Sequence, residues 1–156
     1  MSKSLKRVRA ALQAAGLATE PLEMGSETRT AAQAAATAGC AIDQIAKSII
    51  FQGADSGRIV LFITAGGRQV DPVRAATLAG EPLARADAAA VRAQTGFAIG
   101  GVAPVGHLTP VRAFLDPTLL GFETVWAAAG TPRHIFAAAP ADLLRMSGAE
   151  VADFAD

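Results

Sequence analysis

A chain of 156 residues, 51% of them hydrophobic, has the size of one ordinary domain and enough apolar material for a core without staples. Its 14 basic and 14 acidic residues cancel, which argues against a protein that coats nucleic acid by bulk electrostatics. One cysteine, Cys40, excludes an internal disulfide and a cysteine-based zinc site, and the apolar runs stop short of the roughly 18 residues a membrane span needs.

The start, Met1-Ser-Lys-Ser-Leu-Lys-Arg, has no hydrophobic segment behind its charges, so no secretory signal is expected there and a cytoplasmic protein is. Residues 4–15 read as an amphipathic helix with Leu5, Val8 and Leu12 inward and Gly16 as the stop. Lys3, Lys6 and Arg7 share one side of it, with Arg9 near. That face is read as solvated, with a phosphate backbone as the alternative contact. Thr30-Ala-Ala-Gln33 has the form of a capping box and Gly39 that of a helix stop, so a short helix of small residues is expected over 31–38.

The pattern then changes to β-branched runs at 45–52 (IAKSIIFQ) and 58–64 (RIVLFIT), the second buried on both faces, with Gly66-Gly67 as a turn. Asp71-Pro72 opens a helix over 72–79 that Gly80 ends, and Asp87 opens one over 88–95 that Gly96 ends. After the Gly-rich loop come a strand at 111–115, a turn at Asp116-Pro117, and strands at 123–127 and 133–138. Residues 129–132 (AGTP) between the last two look too kinked for a plain hairpin, and Pro140 starts a last helix to about Met146. No internal repeat or long linker divides the chain. The order implies one α/β domain over 1–156, with a mixed, curved sheet surrounded by short helices.

Much chemistry is missing. His107 and His134 are the two histidines, with no metal-ligand spacing, so no metal is expected. The stretch TGFAIGGVAPVGHLTP (95–110) is neither a P-loop nor a dinucleotide fingerprint, and there is no G-x-S-x-G. Cys40 reads as a small residue at a helix end. Lys47 breaks a local rule, because it lies in an apolar strand on the side of Ile45 and Ile49. An edge strand would turn it to solvent; a pocket would use its ammonium. Gly100-Gly101 lets backbone run close to a ligand, Pro104 stiffens the residues after it, and Gly130-Thr131-Pro132 can act from another side. One lysine, two glycine segments and few acids describe a site that binds a small polar group through backbone N–H groups, suited to a carbonyl or oxyanion.

These residues resemble the YbaK/ProX family of aminoacyl-tRNA editing proteins, related to the editing domain inserted in bacterial prolyl-tRNA synthetase. The resemblance is carried by Thr30-Ala-Ala-Gln-Ala-Ala, Ile45-Ala-Lys47-Ser-Ile-Ile-Phe51, the loop from Thr95 to His107, Leu115-Asp-Pro-Thr-Leu-Leu120 and Ala129-Gly-Thr-Pro-Arg133. It implies a single α/β domain on a barrel-like mixed sheet. It also implies hydrolysis of the ester joining a wrong, small amino acid (alanine, cysteine or 2-aminobutyrate) to the 3′ end of tRNA, most often tRNA for proline, without metal or organic cofactor. On that resemblance Lys47, Gly100 and Gly101 carry catalysis, Lys47 beside the ester and the glycine backbone facing its carbonyl. Thr30, Ser48, Pro104, Gly106, His107, Gly130 and Thr131 bind substrate, and His134 stays structural. Ser48 departs from the lysine-asparagine pair of the alanine-specific branch, which leaves the amino acid open. Mischarged tRNA, and with it prolyl-tRNA synthetase, are the implied partners. A non-catalytic module holding an amino acid, nucleotide or tRNA end is the alternative. Specific DNA binding is disfavoured by the neutral charge and the lack of a recognition helix.

Overall fold

The computed structural model describes residues 2–25 and 30–156. Five helices appear: α1 (Lys3–Ala14), α2 (Ala31–Ala38), α3 (Pro72–Ala79), α4 (Ala88–Thr95) and α5 (Pro140–Ser147). Local chemistry explains their limits. Ser2 caps α1. Thr30 and Gln33 close the capping box of α2 in both directions, at 3.1 and 3.2 Å. Asp71 and Asp87 cap α3 and α4, and Gly39, Gly80 and Gly96 end α2, α3 and α4 in the left-handed conformation.

Eight strands form one mixed sheet: β1 (Leu22–Glu23), β2 (Ile45–Gly53), β3 (Ile59–Ala65), β4 (Leu83–Arg85), β5 (Arg112–Leu115), β6 (Val125–Ala128), β7 (His134–Ala138) and β8 (Glu150–Val151). The order is β1-β7-β6-β2-β3-β5-β8, with β4 also paired to β2. The α/β class with a mixed sheet among short helices is therefore the observed one. β3 is buried along its whole length, as its uninterrupted apolar run implies.

Three expectations change. β1, β4 and β8 have no counterpart in the elements expected from the sequence, because strands of two or three residues carry no period. β6 and β7 do form an antiparallel hairpin, with Val125 opposite Ala138, despite the irregular connection through Gly130. And β2 is not an edge: β3 pairs along one side of it, and β6 and β4 share the other. The turn or single helical turn expected at Asp116-Pro117 is a 3-10 turn over Pro117–Gly121, with Asp116 as its cap.

Helices cover both sheet faces. On one, Leu5, Val8, Leu12, Val91, Phe97, Phe136 and Leu143 join α1, α4 and α5 to the sheet. On the other, Phe62 stacks on Phe114 at 5.3 Å between ring centres and meets Phe154 edge-on, beneath α3. A smaller cluster of Ala34, Ala35 and Ile45 seats α2 over the start of β2. The chain end is tied in as well, since Val70 bridges Ala155 and the Arg68 guanidinium donates to the Ala155 carbonyl.

Candidate active site

Position on β2 follows from its neighbours. β6 pairs with it only at Ile45 and Ala46, running parallel, and β4 only from Phe51 to Gly53, running antiparallel. Lys47–Ile50 therefore have a strand on the β3 side alone. A cavity of about 280 Å³ opens along this interval. Its wall combines Lys47 and Ser48 of β2 with Thr30 at the cap of α2, Gly100 of the Gly-rich loop, Trp126 of β6, and Thr131, Pro132 and His134 around the β6–β7 turn.

Lys47 is half-buried and its Nζ donates to the Gly66 carbonyl at 3.2 Å. Burial pulls its pKa below the ordinary lysine value, and the charge of Asp43 pushes back. The Ser48 hydroxyl oxygen is buried without a hydrogen-bond partner. His134 Nδ1 lies 2.6 Å from Thr131 Oγ1, an interaction across the turn that orients both side chains toward the cavity wall. No carboxylate lines the cavity among the described residues, and the side chains in its wall that carry polar groups supply an ammonium, hydroxyls, an imidazole and an indole.

The Gly-rich loop is anchored rather than loose. Phe97, Val102, Ala103 and Val105 are all buried in the main core. Between the anchors, Gly100 is exposed at the cavity with φ of 90°. Gly101 is buried, and its N–H donates to the Ala98 carbonyl at 3.0 Å, so that group is turned into the loop and not toward the cavity. A Cβ on Gly101 would stand 3.6 Å from the Gly130 carbonyl oxygen and from Thr131 Cα, so the two glycine segments abut. Gly130 is itself buried at φ 94°. A Cβ there would come within 3.0 Å of the Ser4 carbonyl oxygen and the Phe97 ring, so the turn requires glycine.

Helix α1 braces both segments. Arg7 donates from Nε to the Gly106 carbonyl at 3.0 Å, and its guanidinium lies 4.6 Å from the centre of the Phe97 ring. It is thus turned onto the protein and not part of a solvated basic face. Arg9 pairs with Glu20 at 3.1 Å, while Lys3 and Lys6 are exposed.

Of the residues singled out from the sequence, Lys47, Ser48, Gly100, Thr30 and Thr131 meet at one cavity, and Gly101 and Gly130 form its backing. Pro104, Gly106 and His107 do not join them; they line a separate depression beside Met146, Ser147 and Gly148. The reason is the anchoring at Ala103 and Val105, which turns the end of the loop away from β2. His107 donates from Nε2 to the Ala103 carbonyl at 2.7 Å and packs edge-on against Phe97. Burial pushes its pKa below the ordinary histidine value of 6.5, helped by the Arg7 charge and opposed by the Ala103 hydrogen bond.

A stability effect follows from His107. The unfolded chain takes up that proton first as pH falls, so the full contribution is present above about pH 6.5 and declines below it. Thermal unfolding of His107→Gln is expected to lose part of the acid-side slope below about pH 6.5. An unchanged slope in the variant would assign acid sensitivity to other groups.

Two wall residues escaped the reading of the sequence. His134 carried no motif of its own, and only its three-residue spacing from Thr131 across a turn hinted at the pair. Trp126, the single tryptophan, sat in an alanine-rich strand with nothing to say which way it faced.

Comparison with known proteins places this geometry. The family described as the aminoacyl-tRNA editing domain matches residues 25–146. A solved structure described as a "putative trans-editing enzyme for prolyl tRNA synthetase" is similar at 46% identity and a TM-score of 0.91, covering 100% of this chain and 99% of that one. The solved "hypothetical protein APE2540" is 30% identical with a TM-score of 0.85, over 96% of this chain and 99% of that one. The protein YwhH of Bacillus subtilis (strain 168) is 30% identical over 148 residues, which is 95% of this chain and 94% of that protein. A fold shared over its whole length and a matched family over most of it lead to one statement: the chain belongs to the aminoacyl-tRNA editing domain family.

Proposed function

We propose that this chain is a trans-editing deacylase that hydrolyses the ester of small amino acids mischarged on tRNA, tRNA for proline foremost. The observation that carries the reading is the meeting of Lys47, Gly100 and Thr131, from three distant segments, around one cavity of about 280 Å³. A cavity of that size suits an amino acid on its ribose, and a mostly apolar wall with one ammonium and a few hydroxyls suits an ester better than a charged ligand pair.

In this reading the ester lies between Lys47 and the Gly100 backbone. Water adds to the ester carbonyl carbon and the bond from that carbon to the ribose oxygen breaks. One proton of the water ends on the ribose hydroxyl, the other passes to solvent, and the amino acid leaves as its carboxylate. Among the described residues no carboxylate lines the wall, and His134 Nδ1 is engaged with Thr131 Oγ1, so in this reading activation of the water falls to the substrate's own neighbouring hydroxyl. The protein supplies position and a cationic, partly desolvated field for the developing oxyanion. Trp126, Thr131, Pro132 and His134 bound the amino-acid end and set its size. Trans-editing of this kind serves a synthetase whose pocket cannot strongly reject amino acids smaller than proline, since one methylene is worth only ~1–3 kcal/mol. It also puts the protein in the cytoplasm beside prolyl-tRNA synthetase.

The test is a deacylation time course on tRNA for proline charged separately with alanine, cysteine, 2-aminobutyrate, serine and proline, with and without prolyl-tRNA synthetase. One or more small-side-chain esters should be cleaved well above the buffer rate and the proline ester spared. If every ester survives at the buffer rate, the cavity holds its ligand without cleaving it and the catalytic reading fails.

A further inference from the structure

The interval Lys47–Ile50 has a second property that the ester alone does not use. Gly53 donates its N–H to the Arg58 carbonyl, so the odd-numbered residues of β2 exchange backbone hydrogen bonds with β3. Ala54 donates to the Pro82 carbonyl, so the even-numbered residues point to the opposite edge, where β6 and β4 pair. Ser48 and Ile50 are the even residues that neither strand reaches. Their backbone groups face the cavity that both residues line.

We propose that this open edge reads the adenine of the tRNA 3′-terminal nucleotide, with the Ser48 carbonyl accepting from the exocyclic amine and the Ile50 N–H donating to the adjacent ring nitrogen. The inference rests on the editing reading above. An extended strand sets the carbonyl of residue i beside the N–H of residue i+2 on the same edge. That acceptor–donor pair complements the Watson–Crick edge of adenine and opposes that of hypoxanthine, whose oxygen and ring N–H reverse it. A second feature sits in the same interval: the Ser48 hydroxyl oxygen is buried without a protein partner, as a group awaiting a polar ligand would be. The edge is continuous with Lys47, so base and ester are held by successive residues of one strand. The reader is backbone, fixed in place by β3, and is therefore independent of which amino acid the ester carries.

The experiment varies the substrate and leaves the protein intact. Ribonucleoside 3′-esters of the amino acid that the tRNA assay identifies are prepared on adenosine, purine riboside and inosine, and kcat/KM is measured for each with the wild-type chain. The expected order is adenosine, then purine riboside, then inosine, with adenosine at least about tenfold above purine riboside and inosine lowest because both its groups meet like groups. Equal kcat/KM on all three overturns the adenine reading and leaves editing standing. Cleavage of aminoacyl-tRNA with no cleavage of the adenosine ester also overturns it, because recognition then lies in the tRNA body. No cleavage of either substrate removes the deacylase reading, and this inference with it.

Discussion

Lys47→Ala should lower kcat/KM for ester hydrolysis by about 100-fold or more, with the melting temperature shifted by no more than about 2–4 °C. The two readouts separate because of where the ammonium stands. It is half-buried on an interior strand, and its one protein hydrogen bond goes to the Gly66 carbonyl at 3.2 Å. Losing that bond costs about 1 kcal/mol of stability. Losing the cation beside the reacting ester removes a charge whose effect grows as negative charge builds on the carbonyl oxygen, so the loss falls on the transition state. A deacylation time course and a thermal melt on the same preparation check both halves. Retained activity in a folded variant would take Lys47 out of the chemistry and move attention to the Thr131–His134 pair on the opposite wall.

Asp116→Ala should cost about 3 kcal/mol of folding stability, without Asp116 touching the cavity. The carboxylate is 1% exposed. Its Oδ1 accepts from the Thr118 N–H at 2.9 Å, which caps the 3-10 turn, and its Oδ2 accepts from the Ala65 N–H at 3.2 Å at the end of β3. Arg68 Nε stands 3.2 Å from the same oxygen as an ion pair. Alanine leaves the buried Ala65 N–H, the partly buried Thr118 N–H and the Arg68 Nε without their acceptor, while the Arg68 bond to Ala155 remains. Because Arg68 is partly exposed, water takes up some of its loss, which keeps the expectation at the low end of the range for a broken buried pair. Asp116→Asn keeps one acceptor and should cost clearly less. Urea unfolding of the three proteins gives the order; an alanine variant within about 1 kcal/mol of wild type would show that this junction bears little weight.

Helices were legible in the sequence wherever a cap spoke for them. Thr30 with Gln33, Asp71 with Pro72, and the glycines at 39, 80 and 96 fix α2, α3 and α4 by interactions a few residues long, and such signals survive without tertiary context. β1, β4 and β8 were not legible, because they become strands only by lying beside β7, β2 and β5. The site divides the same way. Lys47 stood out as a charge in an apolar strand, Gly100 and Thr131 as parts of two glycine segments able to bind through backbone, and Ser48 came with the motif resemblance. Whether a face of β2 was open depended on where β6 stops and β4 starts, which no local pattern records. His107, Pro104 and Gly106 read as one loop with Gly100, yet the buried anchors at Phe97, Ala103 and Val105 divide that loop into parts that look in different directions.

The brace formed by α1 bears on how the protein is made. Ser4 and Arg7 leave the ribosome long before Gly130 and the turn to His134 do. The contacts of Arg7 with Gly106, and of Ser4 with the Gly130 turn, cannot exist until both parts are present. During translation α1 waits without the Gly106 and Gly130 segments that it packs against. Such sequence-distant closure favours late, concerted assembly. A nascent chain halted before the β6–β7 turn carries Lys47 but lacks the cavity wall that Thr131, Pro132 and His134 supply.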